Sequence, residues 1–213
     1  MKKISNGNES PFLNRFLTDA KPLSTCQTLS QMPSLFDSIN PINATFVANF
    51  IPRFAEDKFE IGDIAPDFEL PDSNGKMRKL SEFRGKPLLL VFTRIFTDKI
   101  FCPLCFPHLN NLKNDYAQFL EKGGNVVVVS STNVEMTKQI VTEQAYPFVM
   151  LSDSEWRVFK QYGLGAALGA PLPAQFLLDK SGRIRFKYVS GLSLGDQLPA
   201  HPENPQMLAL LCE

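Results

Sequence analysis

A net charge of either sign is missing from this 213-residue chain: Lys and Arg number 22, Asp and Glu number 22, and the formal balance is zero. A basic surface for nucleic acid is therefore not expected, nor is an acidic tail. Long apolar runs are missing as well. No stretch approaches the roughly 18 consecutive apolar residues that a spanning helix needs, so no membrane partner is expected. The opening Met1-Lys2-Lys3-Ile4 is basic but leads into no apolar segment, and no secretory signal is read there. Cysteine is scarce, and 4 in a chain of this length are too few for a disulfide scaffold. A reducing compartment is the default, so a cytoplasmic location is expected, where a close Cys pair is more often chemical than structural. What the chain does have is 44% hydrophobic residues. That is enough for the core of one domain of ordinary size, with some tens of residues to spare.

Charge is also missing locally. Between Pro22 and Pro52 the only charged residue is Asp37, and Pro22, Pro33, Pro41 and Pro52 punctuate the run. The segment is too apolar for a solvated tail and too broken for one long element. Two helix starts stand out, Ser10-Pro11 and Asn40-Pro41, each a capping side chain followed by Pro at the first helical position. Phe12, Leu13, Phe16 and Leu17 would form one stripe, and Phe46, Val47, Phe50 and Ile51 the other. Residues 1–60 are thus expected to be an extension. Either it is an arm packed on its own domain or on a partner, a homodimer included, or it is partly disordered. Both remain open.

From residue 61 to 213 the pattern alternates between strand and helix. Asp67–Leu70 and Met77–Leu80 flank an Asn74-Gly75 turn and predict a hairpin. Pro87–Thr93 and Asn125–Ser130 are continuous apolar runs suited to buried strands. Between them, Leu109, Leu112, Tyr116, Phe119 and Leu120 have helical spacing and stop at Gly123-Gly124. Thr132-Asn133-Val134-Glu135 matches a capping box for a helix to about Ala145. A third strand, Phe148–Leu151, precedes a helix capped by Ser152 or Asp153, which runs through Trp156 to Tyr162. Gln175–Asp179 and Arg183–Val189 read as a second hairpin, and 202–211 as a closing helix. The fold class expected is α/β, with flanking helices packed on a mixed central sheet.

The strongest chemical signal is Cys102-Pro103-Leu104-Cys105, placed between a buried strand and the helix behind it. Unpaired N–H groups at a helix start stabilise a thiolate, which is the nucleophile. A second Cys one turn away can attack the resulting mixed disulfide or sulfenic acid. Pro107 leaves the start of that helix open: either it begins there, or a helix from Pro103 is disturbed. Other readings of the pair exist. With His108, Cys102 and Cys105 have ligand-like spacing for structural zinc, but a fourth ligand from Cys26, His201 or Cys212 would be needed. Haem attachment needs His directly after the second Cys, and Phe106 stands there. Two inert buried thiols are the plain alternative.

Several stretches together resemble the peroxiredoxin-like branch of the thioredoxin superfamily, the alkyl hydroperoxide reductase/thiol-specific antioxidant group. They are Ile61-Gly-Asp-Ile-Ala-Pro-Asp-Phe-Glu-Leu70, Leu80-Ser-Glu-Phe-Arg-Gly-Lys-Pro87, Phe101-Cys-Pro-Leu-Cys105 and Pro173-Ala-Gln-Phe-Leu-Leu-Asp-Lys-Ser-Gly182. The resemblance covers about residues 61–211 and implies a thioredoxin-like fold. It departs from the family in two places. The family's Pro-x-x-x-(Thr/Ser)-x-x-Cys would put Pro at Ile95 and Thr at Lys99. Its Arg before the hairpin strand is replaced by Pro173, as in thioredoxin-like oxidoreductases, whose Pro is cis and faces the disulfide.

The expected function is that of an oxidoreductase. Cys102 attacks a peroxide or a disulfide, Cys105 resolves it as an intramolecular disulfide, and a thioredoxin-like or other dithiol restores the thiols. No metal or organic cofactor is implied. Thr93, Arg94, Thr97 and Pro173 are the candidates for positioning the substrate. Thr93 and Thr97 could equally satisfy loop backbone, and Arg94 could be an exposed loop side chain. Cys26 and Cys212 are alternative resolving thiols or bland ones, and Trp156 is read as core. The competing function is a non-catalytic thioredoxin-fold binding module, in which the extension and the segment from Leu164 to Pro171 contact a partner.

Overall fold

The central strand explains most of the architecture. In the computed structural model, which describes residues 52–94, 105–167, 169–191 and 204–211, every residue of β3 (Leu88–Thr93) is buried. Its side chains alternate between two cores. Leu88, Leu90 and Phe92 belong to one, Leu89 and Val91 to the other. A strand covered on both faces needs apolar residues at every position, which is why this run shows no polar alternation. All described residues fall within one compact unit, Ile42–Glu213.

β3 is the middle of a five-stranded sheet of order β5-β4-β3-β8-β9. β4 (Asn125–Ser130) lies parallel to β3, and β5 (Val149–Ser152) parallel to β4. β8 (Ala174–Leu178) and β9 (Ile184–Val189) are antiparallel on the other side. Parallel neighbours need helical crossovers, and the chain supplies α1 (Cys105–Glu121) and α2 (Val134–Gln144). Leu109, Leu112 and Phe119 of α1, Ile140 of α2, and Met207 and Leu208 of α4 (Asn204–Leu210) cover one face. The other face packs against α3 (Arg157–Gln161), a 3-10 turn at Leu80–Phe83, and residues Ala65, Phe68 and Leu70. β1 (Glu69–Pro71) and β2 (Met77–Lys79) form the expected antiparallel hairpin.

Three local expectations are corrected. Pro107 does not start α1, because Cys105 and Phe106 are already helical; the alternative of a helix from Pro103 falls on residues outside the described ones. The capping box at Thr132 does not form. Asn133 is the cap, accepting from the Met136 N–H at 2.9 Å, because the Thr132 hydroxyl is committed to the buried groups around it. Trp156 precedes α3 rather than lying on it. It adopts a left-handed conformation at φ 58° and packs half-buried against the core.

Asp153 holds the start of α3. Its carboxylate accepts from the N–H groups of Arg157, Val158 and Phe159 at 3.0, 2.7 and 3.1 Å. Burial pushes the carboxyl above the ordinary aspartate range, although the three N–H donors act in the opposite sense. Asp153→Ala leaves those donors without an acceptor and is expected to cost about 2 kcal/mol. Asp153→Asn keeps an acceptor oxygen and removes the ionisation. A raised folded-state carboxyl means the native protein holds the extra proton more tightly than the unfolded chain. Its contribution therefore declines as pH rises from the ordinary aspartate value through the raised one. Urea unfolding between roughly pH 3 and pH 7 should show that component in the wild type and not in Asp153→Asn. An alanine variant of unchanged stability would refute the capping role.

The sequence showed no sign of a small hairpin, β6 (Ala166–Ala167) with β7 (Ala170–Pro171). Two-residue strands are too short to carry a period. Residues 53–56 run beside it. Arg53 and Ala166 exchange both backbone hydrogen bonds, at 2.8 and 2.9 Å, and the Glu56 N–H donates to Gly163 O at 2.7 Å. A side chain at Gly163 would put its Cβ 2.6 Å from the Glu56 carbonyl oxygen, so this close approach requires glycine. The two expected helices of the extension, with Cys26, lie outside the described residues.

Candidate active site

Three chain segments meet at one end of the sheet: the end of β3 at Thr93-Arg94, the start of α1 at Cys105, and Pro173 leading into β8. Residues 95–104 join the first two, so Thr97 and Cys102 lie outside the described residues, as do the positions of Ile95 and Lys99. Cys105 is the first described residue of α1 and is only 2% exposed. A thiol there sits among the unpaired N–H groups of the first turn, which favour its ionised form. Burial acts the other way.

Thr93 is 1% exposed, and its Oγ1 has no hydrogen-bond partner among the described residues. Alternation along β3 puts it on the face of Leu89 and Val91, beneath α1. Arg94 is not an exposed loop side chain. It is half-buried, and its Nη2 donates to the carbonyl of Ala167. The guanidinium thus ties the end of β3 to the β6–β7 hairpin. Pro173 does stand beside the site, its carbonyl accepting from the Ser190 N–H at 3.1 Å. The cis geometry expected for it is not found, because every described peptide bond is trans.

The polar interior of this end was not read from the sequence. Thr93, Ser130 and Ser152 are in register across β3, β4 and β5, where the apolar layer of the sheet stops. Ser152 Oγ donates to Thr137 Oγ1 at 2.8 Å, and Thr137 Oγ1 donates to the Asn133 carbonyl at 2.8 Å. With its proton so used, Thr137 must accept from Thr132, 2.8 Å away. Thr132 in turn accepts from Ser130 at 2.5 Å. The hydroxyls of Ser130, Thr132, Thr137 and Ser152 therefore each have a partner for the proton, which makes their enclosure tolerable.

Gln175 and His108 were also missed as a pair. β8 is buried at all five positions, and Gln175 is its only polar side chain. Its Nε2 lies 2.9 Å from Nε2 of His108 on α1. A lone polar residue in a fully buried strand was the available signal. In the sequence His108 stood out only as a ligand for zinc, but its Nε2 faces Gln175. Among the described residues no group of three or more His, Cys, Asp or Glu is placed to hold a metal.

A mixed sheet with three parallel strands, two antiparallel ones, helices on both faces and a cysteine heading the helix after the central strand defines a thioredoxin-like protein. A family model described as "AhpC/TSA family" matches residues 61–187, and the chain belongs to that family. Peroxiredoxin Q, chloroplastic, of Triticum aestivum is 30% identical over 133 residues, 62% of this chain and 59% of that protein. The chain thus spans less than two thirds of that relative. Thiol-disulfide oxidoreductase ResA of Bacillus thuringiensis subsp. konkukian (strain 97-27) is 30% identical over 144 residues, 67% of this chain and 77% of that one. The crystal structure of peroxidoxin BcpB from Mycobacterium tuberculosis shares the fold, with a TM-score of 0.60, 23% identity, and coverage of 72% of this chain and 96% of that one.

Proposed function

We propose that this protein is a thiol-dependent oxidoreductase in which Cys102 is the nucleophile and Cys105 the resolving thiol. The observation that supports this most is Cys105 at the head of α1, behind the central strand of a thioredoxin-like sheet. With a peroxide, the Cys102 thiolate takes the terminal oxygen and becomes a sulfenic acid, and the alkoxide leaves as an alcohol. Cys105 then attacks the Cys102 sulfur, the disulfide forms and water departs. With a disulfide, Cys102 displaces one sulfur as a thiol and Cys105 displaces the other. A thioredoxin-like dithiol restores the pair in either case.

Relatives with both kinds of name resemble the chain to the same degree. The residues favour thiol–disulfide exchange. Lys99 stands where the family's peroxide-binding Thr would be, and Arg94 is engaged with Ala167. Efficient peroxide cleavage needs polar groups arrayed round the O–O bond. The test is mass spectrometry of the reduced protein after limited oxidation by hydrogen peroxide and, separately, by a small disulfide. A Cys102–Cys105 disulfide is expected from both, and faster from the disulfide. Thiols that stay reduced, or that pass directly to sulfonic acid, would sink the resolving role. A stable protein partner without any turnover would favour the binding-module alternative.

A further inference from the structure

Cys105 must lose its proton before it can attack the Cys102 sulfur, because the thiolate is the nucleophile. At 2% exposure it has almost no contact with water to receive that proton. His108 lies one helical turn further along α1, itself 7% exposed. Helical side chains lean toward the N-terminus and over residue i−3, which puts the imidazole over the turn that opens at Cys105. Its Nε2 is turned to the sheet, 2.9 Å from the amide nitrogen of Gln175.

That pairing has a useful property. In the orientation found, the Gln175 N–H faces Nε2 and can donate to it, an arrangement that suits a ring with its proton on Nδ1. Rotated by half a turn, the amide presents its oxygen and accepts from Nε2–H. The imidazole can then be neutral with Nδ1 as a base, or doubly protonated. One side chain satisfies every charge state of the ring. A purely structural pair needs only one.

We infer that His108, with its proton placed by Gln175, is the general base that ionises Cys105 in the resolving step. This rests on Cys105 being the resolving thiol, as proposed above. The Cys105 proton passes to the imidazole, the thiolate attacks Cys102, and the imidazolium returns the proton to the departing thiolate or hydroxide. Among the described residues, the charged or titratable groups placed nearest the pair by register are Tyr188, cross-strand from Gln175 on β9, and Arg94 past the end of β3; Lys113, Asp115, Tyr116 and Glu121 lie further along α1, and Arg185 and Lys187 further along β9. Burial moves the Tyr188 hydroxyl upward, and Arg94 stays charged, so neither changes state near neutral pH.

The test uses the full chain in a Cys26→Ser, Cys212→Ser background and an aromatic disulfide that releases a coloured thiolate. The first thiolate released reports attack by Cys102, and the second reports attack by Cys105. In the parent protein the second phase is expected to show an inflection between about pH 5 and pH 8. His108→Gln keeps an amide opposite Gln175, and it is expected to slow the second phase about 100-fold and remove the inflection. Gln175→Leu leaves the imidazole in place and is expected to move the inflection without removing it. It also serves if His108→Gln does not fold. Coincident pH profiles for parent and variant, or a parent profile without an inflection, would overturn the role of His108 while leaving Cys105 as resolver. Absence of any second phase in the parent would overturn both.

Discussion

Cys102→Ser is expected to lower turnover by more than about 10³-fold with either kind of oxidant, since a serine hydroxyl is scarcely ionised where a thiolate forms readily. Cys105→Ser is expected to behave differently. The first attack survives, and the protein is trapped as a mixed disulfide with a disulfide substrate, or as an over-oxidised Cys102 with a peroxide. Steady-state assays with a thioredoxin system, followed by mass spectrometry of the spent protein, separate the two. The same trapped species from both variants would mean that the roles of the two cysteines are wrongly assigned. Retained turnover in Cys105→Ser would point to Cys26 or Cys212 as the resolver. The lesion is chemical, so both variants should keep the fold.

Phe92→Ala is expected to be the most damaging change to the fold. Phe92 is completely buried, and its ring meets those of Phe159, Tyr162 and Phe176 at centroid distances of 5.2, 4.9 and 5.9 Å. These come from α3, the residue after it, and β8, so one side chain joins the central strand to three parts of the fold. Removing the ring opens a cavity between elements that cannot collapse together, at a cost of about 3–5 kcal/mol. That is a large share of the stability of a typical domain, about 5–15 kcal/mol. Phe54, 70% exposed, is the control, and Phe54→Ala should change stability by less than about 0.5 kcal/mol. Thermal and urea unfolding of both proteins decide the matter. Equal effects would mean that the Phe92 cluster is not the joint it is taken for.

The same residues show how far a sequence can be read. Leu88–Thr93 and Asn125–Ser130 announced themselves as buried strands because both faces are covered, which forces an apolar run with no alternation. The helix between them was legible from Leu109, Leu112 and Phe119, and its end from Gly123. The cysteine pair was legible because its expected chemistry depends on two residues three apart in the chain. Such features are local, since the spacing that carries the signal is the spacing that makes the structure.

Other features were decided only by the tertiary structure, because the partners are far apart in sequence. Gln175 meets His108 across 67 residues, and Ser152 meets Thr137 across 15. Nothing local distinguishes a hydroxyl that caps a helix from one that faces a buried neighbour, so Thr132 was read as the cap that Asn133 provides. Arg94 looked like a loop charge because the carbonyl that receives it belongs to Ala167, 73 residues on. The sequence by itself determined the order of the main strands and helices, the buried central strands and the cysteine pair as a candidate site, since each follows from periodicity or from neighbouring residues. Only the tertiary structure decided the polar interior at that end of the sheet, because a buried polar group is stable only where a distant part of the chain supplies its hydrogen-bond partner.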